Sequence, residues 1–354
     1  MKLFAKKAKP VLGLDISTSS VKLIELTQVG DTYRVESFAA EPMPANAVND
    51  KVIVDTEAAG EAVKKCLKAS GTGVKLAAVA VGGATVITKT IPMPAKLSDK
   101  ELGEQIELQA DQYIPFPLEE VAFDYEVVGA SASDPDMVDV LLAATRRENV
   151  DSRQQLLAAA GLKVRVVDIE AYALENACRL LTHQMPDEGF GKTIAVIDFG
   201  AVTTTFSVLH DRKIVYTRDQ QFGGKALTEE IMRHYGLSFE EAGKSKKEGG
   251  LPSNYKSDIL DPFVEDMAQQ VNRSLQFFLS ATSEYSQIEQ LFLCGGCAMI
   301  PSAMSHVQEK VGVPTLIADP FGRMKIAVKA KGSGVENEAP GLMIACGLAL
   351  RSFD

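Results

Sequence analysis

The sequence predicts an α/β protein of two related lobes with a cleft between them, and three observations carry that expectation. Two stretches repeat each other: VLGLDISTSSVKLIEL, Val11 to Leu26, and IAVIDFGAVTTTFSVL, Ile194 to Leu209. Each is an apolar run ending in Asp, a small-residue turn, then a second run of strand-like composition, so each reads as a hairpin with a carboxylate at its mouth. Strand-like and amphipathic helical patterns then alternate along the chain. Finally, the apolar run IEQLFL leads into Gly295-Gly296 ahead of a helical pattern, and ligands of open α/β sheets sit outside such strand ends.

The 354 residues give a prior of roughly two domains. Between the hairpins, DTEAAGEAVKKCLKASG reads as a helix closed by Gly71, and VKLAAVAVGG as a buried strand followed by ATVITKTIPMP. Ser98 with Glu101 forms a capping box for a helix whose Leu102, Ile106, Ala110 and Tyr113 share one face and which stops before Pro115. VAFDYEVVG, the acidic turn ASASDPDM, VDVLLAATRRE, the helix VDSRQQLLAAAG and the strand KVRVVDI complete a compact insert. In the second half KALTEEIMRHYG is helical, and Ser238 with Glu241 caps FEEAGKSKKEG. One long helix is expected from about Asp258 to Tyr285, with Phe263, Met267, Val271, Leu275 and Phe278 as its stripe. Pro301 is expected to open the helix PSAMSHVQEKVG, and GSGVENEAPG to be a flexible loop before the final helix LMIACGLALRSF.

Composition narrows the function. With 46% hydrophobic and 24% charged residues the chain is ordinary globular material. The net charge of -10, the absence of Trp and only 6% aromatics argue against nucleic acid as a partner. MKLFAKKAKP has no apolar run behind it, and no stretch approaches the ~20 apolar residues of a membrane span, so a cytoplasmic protein is expected. Lys2, Lys6, Lys7 and Lys9 offer charge to an anionic lipid surface, although a frayed, solvated tail is the plainer reading.

Cys294-Gly-Gly-Cys297 could suggest redox or zinc chemistry. There is no second C-x-x-C, the histidines His183, His210, His234 and His306 are isolated singles, and the pair does not open a helix directly. The cysteines therefore read as small core residues and the glycines as the functional element.

Taken together, GLDISTSSVK, VIDFGAVTTT and LFLCGGCAMIPSAM resemble the two phosphate motifs and the adenosine motif of the actin, sugar-kinase and heat-shock ATPase superfamily. VVDIEAYALENA and GLMIACGLALR resemble its two connecting helices. The insert in the first half is like that of the cell-division protein FtsA. KPVLGLDISTSSVKLIEL, YIPFP and GGKALTEEI resemble, more narrowly, the PilM family of type IV pilus assembly. With Arg351-Ser-Phe-Asp354 as its last residues, the chain is expected, unlike FtsA, to carry no amphipathic membrane helix. The resemblance implies an actin-like, ribonuclease H-like fold with an FtsA-type 1C insert. Its expected division is 1–94 (first part of 1A), 95–165 (1C), 166–192 (connecting helix) and 193–354 (2A and 2B, with the last helix returning to the first lobe).

The resemblance also implies ATP in the cleft with Mg2+ held by Asp15 and Asp198, mostly through water. Ser17, Thr18, Ser19 and Ser20, with Lys22 nearby, are expected at the phosphates; Gly200, Thr203 and Thr204 would play the matching part in the second hairpin. Ser17 stands where the superfamily favours glycine. Gly223, Gly224 and Lys225, starting a helix, and Glu241 or Lys244 are expected near ribose and base, with Gly295 and Gly296 passing beneath them. Asp168 and Glu170 are candidates for positioning the attacking water, so ATP binding is expected and turnover is left open.

As partner, the resemblance implies the cytoplasmic N-terminal peptide of PilN and, through it, PilO and PilP at the cytoplasmic face of the inner membrane, with the pilus motor ATPases as further candidates, in pilus extension and twitching motility. Ile91, Met93, Tyr113, Ile114 and Phe116 are candidate groove walls, with insert core as the competing reading. A small-molecule kinase of the same fold and a filament former like FtsA or actin remain alternatives.

Overall fold

The structure, a computed structural model, describes residues 9–131, 134–328, 330–331 and 334–354. Lys2, Lys6 and Lys7 lie outside the described residues, and Lys9 is exposed just before the first strand.

The first lobe opens with β1 (Leu12–Ile16), β2 (Ser20–Val29) and β3 (Thr32–Pro42), a meander whose first turn is the Asp15 hairpin. A miniature hairpin, β4 (Val48–Asn49) and β5 (Val52–Ile53), leads to α1 (Thr56–Ser70). That helix starts where the Asp55 carboxylate accepts the Ala58 N–H and stops where Gly71 adopts φ 61°, the left-handed conformation that releases a helix end. Next come β6 (Leu76–Val81), the insert strand β7 (Val86–Pro94), α2 (Asp99–Ala110), β8 (Val121–Ala130) and β9 (Met137–Arg146). The chain then re-enters the lobe through α3 (Arg147–Ala159), β10 (Lys163–Ile169) and α4 (Glu170–Cys178).

The second lobe holds β11 (Thr193–Phe199), β12 (Thr204–His210), β13 (Lys213–Gln220), α5 (Gly224–Tyr235), α6 (Phe239–Glu248) and α7 (Asp261–Ala281). It closes with β14 (Gln290–Gly295), α8 (Ala303–Val311) and β15 (Thr315–Ile317). The chain returns to the first lobe through β16 (Lys325–Ile326), a 3-10 helix at Val335–Leu342, and α9 (Met343–Leu350).

The two main sheets run in the orders β10-β6-β1-β2-β3-β16 and β13-β12-β11-β14-β15. Apart from β16, they are the same design. In each, an antiparallel meander supplies three strands, and two more join the first of them in parallel. The repeat legible in the sequence is therefore a repeat of topology.

Each lobe has its own core, and a third core lies between them. There Ala173, Leu174 and Ala177 of α4 and Met343, Ile344 and Leu348 of α9 meet Val196, Phe292 and Cys294 of the second sheet. Helices α4 and α9 cross closely: an added Cβ at Gly347 would run into the Ala173 carbonyl, and Asn176 Nδ2 donates to the Gly347 carbonyl at 3.0 Å.

Several local expectations change. Tyr113 lies beyond the end of α2 in a turn, and α7 ends at Ala281 rather than near Tyr285. Pro301 is not the first helical residue: Ser302 takes φ 66°, and the helix starts at Ala303. The segment expected as a flexible loop forms the 3-10 helix at Val335–Leu342, because Val335, Ala339 and Leu342 pack into the first-lobe core; Gly332 and Ser333 lie outside the described residues. β7 pairs with β9 in the separate sheet β7-β9-β8, while β10 belongs to the main sheet. The strands of this separate sheet run from Val86 to Arg146.

Candidate functional site

The C-terminal ends of β1, β6 and β10 and those of β11 and β14 face the cleft, and the hairpin carboxylates lie at this mouth. Asp15 stands opposite Lys22 in the β1–β2 register and Asp198 opposite Thr205 in β11–β12. Lys22 Nζ is 3.9 Å from Asp15 Oδ2 and donates to the Gly341 carbonyl at 2.6 Å, which ties the first hairpin to the segment entering α9. Burial pushes the Asp15 carboxyl up to about 6; Lys22 opposes this, and the charges of Glu170 and Asp198 add to it. Asp198 is raised for the same first reason, burial, against the pull of Lys22 and Lys51. Each group responds to the same charges, so carboxylates from both lobes share one electrostatic site.

Gly295 holds the third strand end against this pair. Its φ is +81°, and an added Cβ would strike Asp198 Oδ1 and the Phe199 carbonyl, so only glycine fits. Gly296 faces open space. Burial raises Cys294 well above the usual thiol range and Cys297 to about 11, so neither is a ready thiolate. The structure at this strand end therefore requires glycine at 295, while both cysteines are buried.

The phosphate-motif turns are partly consumed by their own structure. Ser17 donates to the Ser20 carbonyl through both its N–H, at 3.0 Å, and its hydroxyl, at 2.9 Å, so the serine in glycine's place braces the turn. Thr18 and Ser19 keep N–H groups without an acceptor among the described residues, and Ser20 Oγ lies 3.5 Å from Ser17 Oγ. In the second turn Gly200 N–H donates to Thr203 O at 3.1 Å, and Thr204 Oγ1 to Phe222 O at 2.7 Å. Thr203 Oγ1 reaches Asp50 Oδ1 of the first lobe at 3.4 Å.

The α5 N-terminus differs from expectation. Gly224 and Lys225 give their N–H groups to the Gly200 and Ala201 carbonyls at 3.0 and 2.7 Å, and a Cβ on Gly223 would sit 2.6 Å from those carbonyl oxygens. These glycines seat the second turn on the helix, and the two N–H groups are not free for an anion. Glu241 spends its carboxylate on the Ser238 N–H and hydroxyl, and exposed Lys244 pairs with Glu248 at 3.9 Å. Lys246, which sequence reasoning passed over, points inward instead, donating to Gly224 O at 3.0 Å and Thr228 Oγ1 at 2.7 Å; burial lowers its pKa. Three lysines within four residues cannot be told apart until the face of α6 is known.

The two candidate catalytic acids separate. Asp168 is bound to Arg351 Nε at 2.6 Å and accepts the Ile169 N–H, so it locks β10 to the chain's last turn. Glu170 belongs to the cleft: it approaches so close to Gly82 that an added Cβ there would be 2.5 Å from Oε2. It also pairs with Lys51 Nζ at 2.6 Å. Lys51 is the residue the sequence reading missed; the only signal was Asn-Asp between two valine-bearing runs, a hairpin-turn composition. Among the groove candidates, Ile91, Met93 and Ile114 are at most 3% exposed and form the insert core. They present no wall, because strand alternation turns Ile91 and Met93 toward α2. Tyr113 and Phe116 remain half-buried, with the Arg146 guanidinium 4.6 Å above the Phe116 ring.

Two sheets that repeat one five-strand arrangement, a carboxylate at each hairpin mouth and two crossing helices packed between the lobes define a protein of the actin-like fold. Over residues 13–353 the chain matches the family described as "Type IV pilus assembly protein PilM", and it belongs to that family. It is 26% identical to a solved chain of a "PilM-PilN type IV pilus biogenesis complex", with a TM-score of 0.82 and coverage of 98% of this chain and 99% of that one. Cell division protein FtsA of Enterococcus hirae is 25% identical, over 85% of this chain and 76% of FtsA. Ethanolamine utilization protein EutJ of Carboxydothermus hydrogenoformans shares the fold at 20% identity and a TM-score of 0.56, over 96% of this chain and 89% of EutJ. Among the described residues no helix is long and apolar enough to cross a membrane.

Proposed function

We propose that this type IV pilus assembly protein is a cytoplasmic, ATP-binding scaffold that docks the cytoplasmic N-terminal peptide of PilN at the inner membrane. Through PilN it would help align PilO and PilP, and serve the pilus motor ATPases, for extension and twitching motility. The observation that carries the nucleotide half is the pair of matched hairpin mouths, Asp15 in the first lobe and Asp198 in the second against Gly295, with the N–H groups of Thr18 and Ser19 in the first turn left without an acceptor among the described residues.

The donor set fits magnesium. Two carboxylates are hard oxygen ligands, and Mg2+ keeps several waters and phosphate oxygens instead of filling an all-protein cage. The ion would neutralise phosphate charge in the cleft. Asp15 and Asp198 would hold its waters, the Thr18 and Ser19 amides would orient the phosphates, and Gly295 and Gly296 would let the nucleoside approach the second-lobe backbone. Of the candidate pair, Glu170 is the acid that lies in the cleft and would orient a water; its pairing with Lys51 favours binding over rapid turnover.

The test is calorimetric titration of ATP with Mg2+ into the chain and into Asp198→Asn, followed by a peptide copying the cytoplasmic N-terminus of the host's PilN. One-to-one ATP binding that falls at least ten-fold in the variant, with saturable peptide binding to the loaded protein, is expected. ATP heat unchanged in Asp198→Asn would refute the paired-carboxylate site, and a silent peptide would refute the docking role.

A further inference from the structure

The β4–β5 hairpin is rooted in one lobe and touches the other. Val48 and Ile53 are buried in the first-lobe core, while the tip between them carries Asp50 and Lys51 into the cleft. Both tip residues adopt left-handed backbone, φ 42° and 66°, a conformation that side-chain-bearing residues occupy at a cost. Glycine would take this turn without that cost.

The backbone of the tip is fixed from below. Arg153, 2% exposed, donates to the Lys51 carbonyl at 2.8 Å, to Ala80 O at 2.6 Å and to Asn149 O at 2.9 Å. The Lys51 stem lies against Gly83, where an added Cβ would be 3.4 Å from Cδ. Its ammonium then stands between Glu170 of the first lobe, 2.6 Å away, and Asp219 on β13 of the second lobe, 3.9 Å away. Beside it, Asp50 accepts from Thr203 in the second phosphate-motif turn at 3.4 Å.

From this geometry we infer that Asp50 and Lys51 form a latch across the cleft: a first-lobe hairpin whose ammonium bridges Glu170 to Asp219 and whose carboxylate grips the Thr203 turn, setting the width at which the lobes hold a nucleotide. The latch has a firm end on Glu170 and a looser end on the second lobe, so it can release the second lobe while staying seated on the first. Lys51 also offsets charge. With Lys22 it is set against the carboxylates of Asp15, Asp198, Glu170 and Asp219, which would otherwise repel a polyphosphate. Lys51 is thus a positioning residue, acting on the nucleotide through cleft closure. Its influence on ATP rests on the nucleotide reading above; its influence on the lobes does not.

Spin labels at exposed Lys65→Cys on α1 and Arg233→Cys on α5 report the separation of the lobes by pulsed electron resonance; the native cysteines are all buried. The measurement is made without nucleotide in the parent, Lys51→Gly, Lys51→Met and Lys51→Arg. Lys51→Gly relieves the left-handed backbone, so its fold is not at risk, and Lys51→Met retains the stem without the charge. Longer and broader distances are expected in Lys51→Gly and Lys51→Met, with the parent distribution kept in Lys51→Arg. Affinity for a fluorescent ATP should fall about five-fold or more in the first two. Distances that superimpose on the parent in Lys51→Gly would overturn the latch. A changed distance with unchanged ATP affinity would overturn its coupling to the nucleotide. A parent that binds no ATP would refute the nucleotide reading, while the distances still decide the latch.

Discussion

Gly347 of α9 packs on the backbone carbonyl of Ala173 in α4 so closely that no side chain fits between them. This contact lies in the core shared by the lobes, where α4 and α9 cross each other against the second sheet. Gly347→Ala should therefore push the helices apart and destabilise the protein by about 1–3 kcal/mol, the usual range for overpacking. A lowered urea midpoint with unchanged slope is the expected reading, and an unchanged midpoint would mean that the crossing relaxes freely.

The stability of the chain should depend on pH through Asp15. Its carboxyl is raised from 3.8 to about 6, chiefly by burial, so protonation is favoured in the folded protein. Below about pH 3.8 the group is neutral in both states; as pH rises through about 6 the folded protein must ionise a buried acid, and that share of stability is lost. Asp15→Asn should raise Tm by a few degrees near neutral pH without nucleotide, and the gain should vanish near pH 4. Calorimetric scans across that range check both the sign and the window.

Arg153 should matter to the fold out of proportion to its charge. Its guanidinium satisfies the carbonyls of Ala80, Asn149 and Lys51 while almost wholly buried. Arg153→Met preserves much of the volume and strands those carbonyls, at a cost of about 3 kcal/mol. Arg153→Lys, with a single point donor in place of the fork, should recover only part of it. Chemical unfolding of both variants against the parent reads the difference.

Peptide docking is predicted to depend on Tyr113 more than on its neighbours. Tyr113 is half-buried at the edge of the insert, whereas Ile91, Met93 and Ile114 fill its core. Tyr113→Ala should weaken binding of the PilN peptide at least ten-fold while leaving Tm within a few degrees. Met93→Ala should lower Tm by cavity formation and leave the affinity of the folded fraction intact. The reverse pattern would move the peptide site away from this edge.

The two hairpins, the capped helices and the strand ending in Gly295-Gly296 were legible because each is written locally. A β-turn needs small residues between two apolar runs, and a capping box needs two residues at a fixed spacing. Thus α1 begins and ends where Asp55 and Gly71 require. Expectations failed where distant packing decides. The segment before α9 becomes a 3-10 helix because Val335, Ala339 and Leu342 find a core to enter, and Ser302 takes the turn that Pro301 seemed to open as helix. Which sheet β7 joins is decided in the same way, because β9, some fifty residues later, offers it a partner.

For the site, the sequence alone determined the chemical inventory: a carboxylate at each hairpin mouth, glycines at the third strand end, and hydroxyl-rich turns. Tertiary structure decided which members meet. Asp168 and Glu170 are two residues apart, yet one is bound to Arg351 and the other faces Lys51 in the cleft. Lys244 pairs with Glu248 at the surface, and Lys246, two positions on, reaches Gly224. Residue type and spacing are properties of the chain, but the direction of a side chain depends on the face its helix or strand turns to the core, and the partner that waits there comes from elsewhere in the sequence.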